Sequence, residues 1–407
     1  MVEPAKLELL TRNPGEPGFQ IQQLQSSQAH RQFRPQRLPN DAWEVTPQPQ
    51  SPDGTRTYIL KNLRHERYLL LSAREYFLWE FFDGSHSLEE IARSFHFEFG
   101  AFDYTAIRRL LAKMYQAGLL IEPAQLALQQ NRAARKENLW ALCLSSISKY
   151  WRRLTFKVPN ADRFCSTIYR YGGFLLFHPI TLALSIALAI IAAIAAISLS
   201  AQAKQFTQML SRNPWQSTFI MLGSLLAVSM LHVLIHALAC KAYNRRVREL
   251  GFFLLQGVLP TFYADVTDIF MSTRRARVVV DFAGPMVEVV LGSAAFFAAY
   301  QSAPGVGQAI WFGIGVLLWE GALINLYPFN FLEMDGYNIV ADLLAMPTLR
   351  QQALTLAPSL PRRLLRMRSL QRSEWIQIGY LFLCFVSVLV YVIAHLDALR
   401  ALLPGWN

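Results

Sequence analysis

The apolar residues of this chain gather in runs of about 20, the length that crosses ~30 Å of hydrocarbon at 1.5 Å per residue. Five such runs lie near residues 174–199, 217–239, 278–300, 306–327 and 375–396. Each predicts a membrane-spanning helix. Upstream the pattern changes to short apolar runs broken by turn and cap signals, which predicts a compact domain over residues 57–121. Tyr58-Ile59-Leu60 and Tyr68-Leu69-Leu70-Leu71 flank a polar turn, as in a β-hairpin. Ser72-x-x-Glu75 is a capping box before an apolar-periodic helix expected to end at Gly84. Ser87-x-x-Glu90 opens a second helix with Ile91 and Phe95 on one face. Asp103 is expected to cap a third, which carries Ile107, Leu110, Leu111 and Met114 and closes at Gly118. A hairpin with three short helices is a winged-helix arrangement. Residues 1–52 are polar and rich in Pro and Gln, so they are expected to be disordered and to contain no secretory signal peptide.

The resulting division is a disordered tail at 1–52, a winged-helix domain at 53–125, a basic juxtamembrane linker at 126–172 and a membrane domain at 173–407. The expected fold class is a polytopic α-helical membrane protein, with a small cytosolic α+β winged-helix domain in front.

Composition agrees with a membrane chain: of 407 residues, 53% are hydrophobic and 16% charged, where a soluble domain would carry more charge. The net charge of +11 reads as Lys and Arg retained in cytosolic loops rather than as a nucleic-acid site. Residues 131–170 hold nine Lys or Arg against two acids. The loop after the second span carries Lys241, Arg245, Arg246, Arg248, Arg274, Arg275 and Arg277, and the loop after the fourth carries Arg350, Arg362, Arg363, Arg366, Arg368 and Arg372. The loop after the first span has only Lys204 and Arg212, and residues 301–305 have no charge. By the positive-inside rule the N-terminus is cytosolic and the C-terminus extracytosolic, in a bacterial-type inner membrane with lipid as the first partner. Cys143, Cys165, Cys240 and Cys384 form no CxxC pair, which suggests neither a disulfide framework nor a cysteine metal site.

Two histidines stand inside the second span. His232 and His236 are four apart, so a helix places both rings on one face, one turn apart. Such a pair can share one tetrahedral zinc, or be two polar residues buried in helix packing. Ionisable groups inside a membrane are costly and usually functional.

The run Leu231-His232-Val233-Leu234-Ile235-His236-Ala237-Leu238-Ala239-Cys240-Lys241 resembles the H-E-x-x-H helix of site-2-protease-like membrane metallopeptidases. The resemblance continues through Arg248-Glu249-Leu250-Gly251-Phe252, Pro260 to Asp268, Ala283-Gly284-Pro285, Asn325-Leu326-Tyr327-Pro328-Phe329 and Leu332-Glu333-Met334-Asp335-Gly336-Tyr337. It covers roughly residues 215–345. In front, Tyr68-Leu69-Leu70-Leu71-Ser72, Phe82-Asp83-Gly84 and Gly118-Leu119-Leu120 resemble the PqqD-like peptide-binding fold. The chain is most similar to peptide zinc metalloproteases that carry such a front domain. The resemblance implies that His232, His236 and Asp335 hold zinc, and that the hairpin edge and a neighbouring helix receive a peptide as an added strand.

One departure bears on mechanism. The glutamate of H-E-x-x-H is the general base that takes a proton from zinc-bound water, and its place is taken by Val233, with Ile235 before the second histidine. Glu320 is the candidate substitute. Counted from the ends of their spans, Glu320 and His232 both lie ~10 Å deep, whereas Glu288 lies ~16 Å deep. Glu320 could be a fourth ligand, a displaced base or the partner of a protonated histidine. The sequence therefore predicts a catalytically degenerate protease that scaffolds or gates a membrane assembly handling a peptide or exported substrate. The resemblance makes an HlyD-like periplasmic adaptor, or another export component, a plausible partner. The alternatives are an active intramembrane protease using Glu320, and a membrane-tethered regulator whose winged helix binds DNA through Arg108, Arg109 and Lys113.

Overall fold

The structure, a computed structural model, describes residues 6–11, 20–25, 33–100, 104–121, 156–255, 259–360 and 371–394. The chain divides into two compact units, Met1–Gln50 with Gly54–Glu137 and Ser51–Asp53 with Asn138–Asn407.

In the first unit the predicted hairpin is present as β4 (Thr57–Asn62) and β5 (Arg67–Ser72), paired so that Leu60 faces Leu69. Both capping boxes form. Ser72 opens α1 (Ala73–Glu80) and Ser87 opens α2 (Leu88–Phe99), each serine accepting the N3 amide while the N3 glutamate accepts the serine amide. The first helix stops at Glu80 rather than at Gly84, because Phe82 and Gly84 are drawn into hydrogen bonds with Arg37 and Pro35. The third helix, α3 (Tyr104–Gln116), is followed by Gly118 at φ 67°; its expected cap, Asp103, lies outside the described residues. Leu60, Leu71, Trp79, Phe82, Leu110 and Met114 form the centre of the core.

The stretch expected to be a disordered tail differs most. It carries β1 (Lys6–Thr11) paired with β2 (Gln20–Gln25), and β3 (Trp43–Pro47), which pairs with β4 to make a three-stranded sheet ordered β3-β4-β5. Residues 35–38 lace the unit together: Arg37 N–H donates to Phe82 O at 2.7 Å, Leu38 N–H to Leu119 O at 2.9 Å, and Gln36 O accepts from Ile121 N–H at 2.8 Å. Phe33, Trp43 and Val45 pack on the core. The segment escapes detection because its backbone is satisfied by distant partners and it has too few apolar residues for a periodic signal.

Among its described residues the second unit holds five helices long and apolar enough to cross a membrane: α5 (Pro179–Ser200), α7 (Pro214–Ala242), α8 (Arg274–Gln301), α9 (Val306–Leu326) and α12 (Arg372–Ala394). The first starts later than predicted, since Pro179 begins it and a 3₁₀ turn over Gly173–Phe177 precedes it. A short helix, α6 (Ala203–Arg212), links α5 to α7 and buries Phe206. The basic linker expected at 126–172 is, from residue 156 onward, part of this unit. There β6 (Phe156–Lys157) joins β7 (Glu249–Leu255) and β8 (Leu259–Asp265) in one sheet, and α4 (Ala161–Arg170) buries Cys165 completely. Asp162 accepts the Val247 N–H at 2.9 Å and pairs with Lys241, tying α4 to the end of α7. Residues 122–155 lie outside the described residues, as does Cys143.

At the centre, α8 packs against α7 and α9 on a face of small residues. Gly292 accommodates Trp319, whose indole N–H donates to Val289 O at 3.1 Å. Small residues let helix backbones approach closely where lipid offers no hydrophobic drive between helices. Beyond α9 come α10 (Asp335–Leu343) and α11 (Leu349–Leu356), which pack with the first turns of α12 around Tyr337, Tyr380 and Cys384.

Candidate metal centre

His232 and His236 project from one face of α7, and their Nε2 atoms are 3.0 Å apart. Asp335, the first residue of α10, approaches from beyond the end of α9. Its Oδ2 is 3.2 Å from His232 Nε2 and its Oδ1 is 3.5 Å from His236 Nε2. The three side chains could hold one metal ion, each offering one atom within 4.8 Å of the others. Exposure of 13%, 13% and 19% places them below the surface without sealing them.

Two glycines make room for this. A Cβ at Gly284 on α8 would collide with Nε2 of both histidines, so only glycine leaves space beside the donor atoms. A Cβ at Gly336 would collide with the Leu326 carbonyl, so glycine lets α10 begin hard against the end of α9 and brings Asp335 into reach.

The opposite nitrogens fix both rings. His236 Nδ1 is 2.6 Å from the Val280 carbonyl oxygen, which can only accept, so Nδ1 carries the proton. His232 Nδ1 is 2.9 Å from Oε1 of Glu288, and Asn325 Nδ2 donates to both Glu288 oxygens at 3.0 and 3.1 Å. The Nε2 lone pairs of neutral rings then face each other and the Asp335 carboxylate. Three acceptors this close repel unless a cation or a shared proton sits among them. Imidazoles whose second nitrogen donates to a carboxylate or carbonyl are the usual arrangement of histidine metal ligands.

Val233 follows His232 on α7 and brings no carboxylate to the site. Glu320 lies on an exposed face of α9. Gly321 is the α9 residue that faces Glu288, at 3.5 Å from Oε2 for a built Cβ, and Asn325 follows one turn later on the same face. Glu320 is rotated ~100° from that face. Equal depth along two helices does not fix this rotational phase. Glu288, set deeper by the same count, is the carboxylate that reaches His232 Nδ1. A sequence signal for it existed: Glu288 falls four residues after Gly284, one turn along the same helix face.

Near the site, Arg277 Nε donates to both oxygens of Asp342 at 2.9 Å in a buried pair joining α8 to α10. Burial pushes the Asp342 carboxyl up, and Arg277 opposes this.

Compared with known proteins, the chain matches no family model, no curated protein and no solved structure.

Proposed function

We propose that this chain is a polytopic membrane protein built around a zinc-binding site, a catalytically degenerate form of a site-2-protease-like metallopeptidase. Its role is to scaffold or gate a membrane assembly that handles a peptide or exported substrate. The observation that carries the reading is the convergence of His232 Nε2, His236 Nε2 and the Asp335 carboxylate, with both Nδ1 atoms tied to acceptors. Two imidazoles and one carboxylate are a donor set that suits zinc and leaves a fourth position open. A bound zinc would polarise a water or carbonyl there.

Peptide hydrolysis also requires a base beside that position. Valine at 233 cannot accept a proton, and loss of a positioned base typically costs 10²–10⁴-fold. Glu288 is bonded to Nδ1, across the His232 ring from Nε2, and does not take that place. Glu320 is exposed on α9, so the active-protease alternative through it draws no support from the geometry. The DNA-binding alternative is weakened by Lys113, one of the basic trio, which pairs with Glu75 at 2.6 Å. The front unit is assigned peptide or partner recognition, with β5 as an outer strand of the β3-β4-β5 sheet to which a peptide could add.

The test is metal analysis of the purified full chain with a cleavage assay on a co-expressed membrane substrate. Wild type should carry one zinc, lost in His236→Ala, and should not cleave. Val233→Glu combined with Ile235→Gly is the variant expected to restore cleavage. Cleavage by wild type would overturn the degenerate reading.

A further inference from the structure

Glu288 is an acid inside a span that remains 8% exposed and is committed at both oxygens. A buried carboxylate within hydrocarbon is costly unless its charge is matched. Among the described residues its partners are the imidazole of His232 on α7 and the amide of Asn325 on α9, neither of them a Lys or Arg. With neutral rings, Asp335 and Glu288 give the site two negative charges, and a divalent cation between the Nε2 atoms would bring the sum to zero.

We propose that Glu288 is a positioning residue that supplies, from behind His232, the negative charge that Val233 removed from the front of the site. The inference rests on the zinc-binding reading above. In an H-E-x-x-H helix two carboxylates lie around the ion, the aspartate ligand and the glutamate base. Here the second has moved from the open face of the site to the far edge of an imidazole. Charge balance and ring orientation are kept, while proton abstraction is lost, because Glu288 addresses Nδ1 and the open coordination position lies beyond Nε2. Asn325 holds Glu288 in this pose by donating to both oxygens, so α7, α8 and α9 meet at one carboxylate. The site is thereby specialised for holding the ion rather than for using it.

The experiment is Zn²⁺ competition against a chromogenic chelator, with the full chain in detergent micelles. Glu288→Gln should bind one zinc roughly 10–100-fold more weakly, the usual effect of removing an outer partner of a metal-ligating histidine. Asn325→Ala should lose less, by several-fold. The discriminating variant is Val233→Glu in the Glu288→Gln background. It returns a carboxylate to the opposite side of the site and should recover most of the lost affinity, which repair of a packing defect would not do. If Glu288→Gln binds zinc within about twofold of wild type while His236→Ala loses it, the role of Glu288 is refuted and the zinc site stands. Affinity lost in Glu288→Gln and not recovered by Val233→Glu refutes the charge argument. Wild type that binds no zinc refutes the zinc reading itself, and this inference with it.

Discussion

Single atoms decide what the site can do. Gly284 is the sharpest case, because a methyl group there would occupy the space beside both Nε2 atoms. Gly284→Ala should abolish zinc binding while the protein still inserts and purifies, checked by metal analysis against wild type. Glu320→Leu is the matched control. It removes an intramembrane acid that lies off the site, so zinc stoichiometry and affinity should be unchanged. Loss of zinc in that control would return Glu320 to the site and overturn the placement argued from helix phase. The contrast between Glu320 and Glu288 shows why the site was only half legible in the chain. Depth can be counted along a sequence, but five residues separate Glu320 from Asn325 and turn it ~140° away from the face that meets Glu288.

Elements form where local signals agree. The two capping boxes close as expected because every group they use lies within three residues. Glu75 is further held by Lys113 at 2.6 Å. Burial pushes its carboxyl up, but the hydrogen bonds from Lys113 and Ser72 outweigh this and set it below the usual carboxylate range. A folded-state value below the unfolded ~4.3 means the contribution is complete above that pH and fades as pH falls through the folded value. Thermal unfolding of the front unit in wild type should therefore lose ~0.2–1 kcal/mol more than in Glu75→Gln between neutral pH and pH 3. Equal acid sensitivity in the two proteins would refute the assignment. The strand edge supports a second test. If the front unit recruits the proposed export component, deleting residues 1–125 should abolish co-purification with it, whereas unchanged assembly would make the front unit a structural plug. The third strand was missed because Trp43–Pro47 is stabilised by pairing with β4, and its sequence alternates too briefly to announce a strand.

For the whole molecule, the five long apolar helices among the described residues suit membrane insertion, and the positive-inside rule applied to Lys and Arg predicts a cytosolic N-terminus and an extracytosolic C-terminus. Alkaline phosphatase, active only outside the cytosol, should be active when fused near residue 303 or at the C-terminus and inactive when fused near residue 257 or 365. An active fusion near 365 would reverse the orientation and move the metal site to the opposite side. The placement of α4 and β6 also changes the picture of the basic linker. From residue 156 onward it is built into the membrane unit by Cys165, Asp162 and the Phe156–Phe252 stack at 4.9 Å.

What the chain determines by itself is whatever depends on neighbours in sequence. The apolar runs set the number of long helices, the cap residues set where α1 and α2 start, and the four-residue spacing of His232 and His236 sets a shared face on α7. What only the tertiary structure decides depends on helix rotation and on contacts between distant segments. Asp335 reaches the histidines because Gly336 lets α10 start against Leu326, and Gly284 leaves room for the ring nitrogens. Glu288 meets His232 because α8 packs closely on α7, and Asn325 meets Glu288 because α9 presents that face. Residues 33–47 join the front unit because their backbone groups find partners at Phe82, Leu119 and β4. A linear pattern records helix period and charge, whereas the angle at which two helices face one another is set by close packing of side chains far apart in the chain.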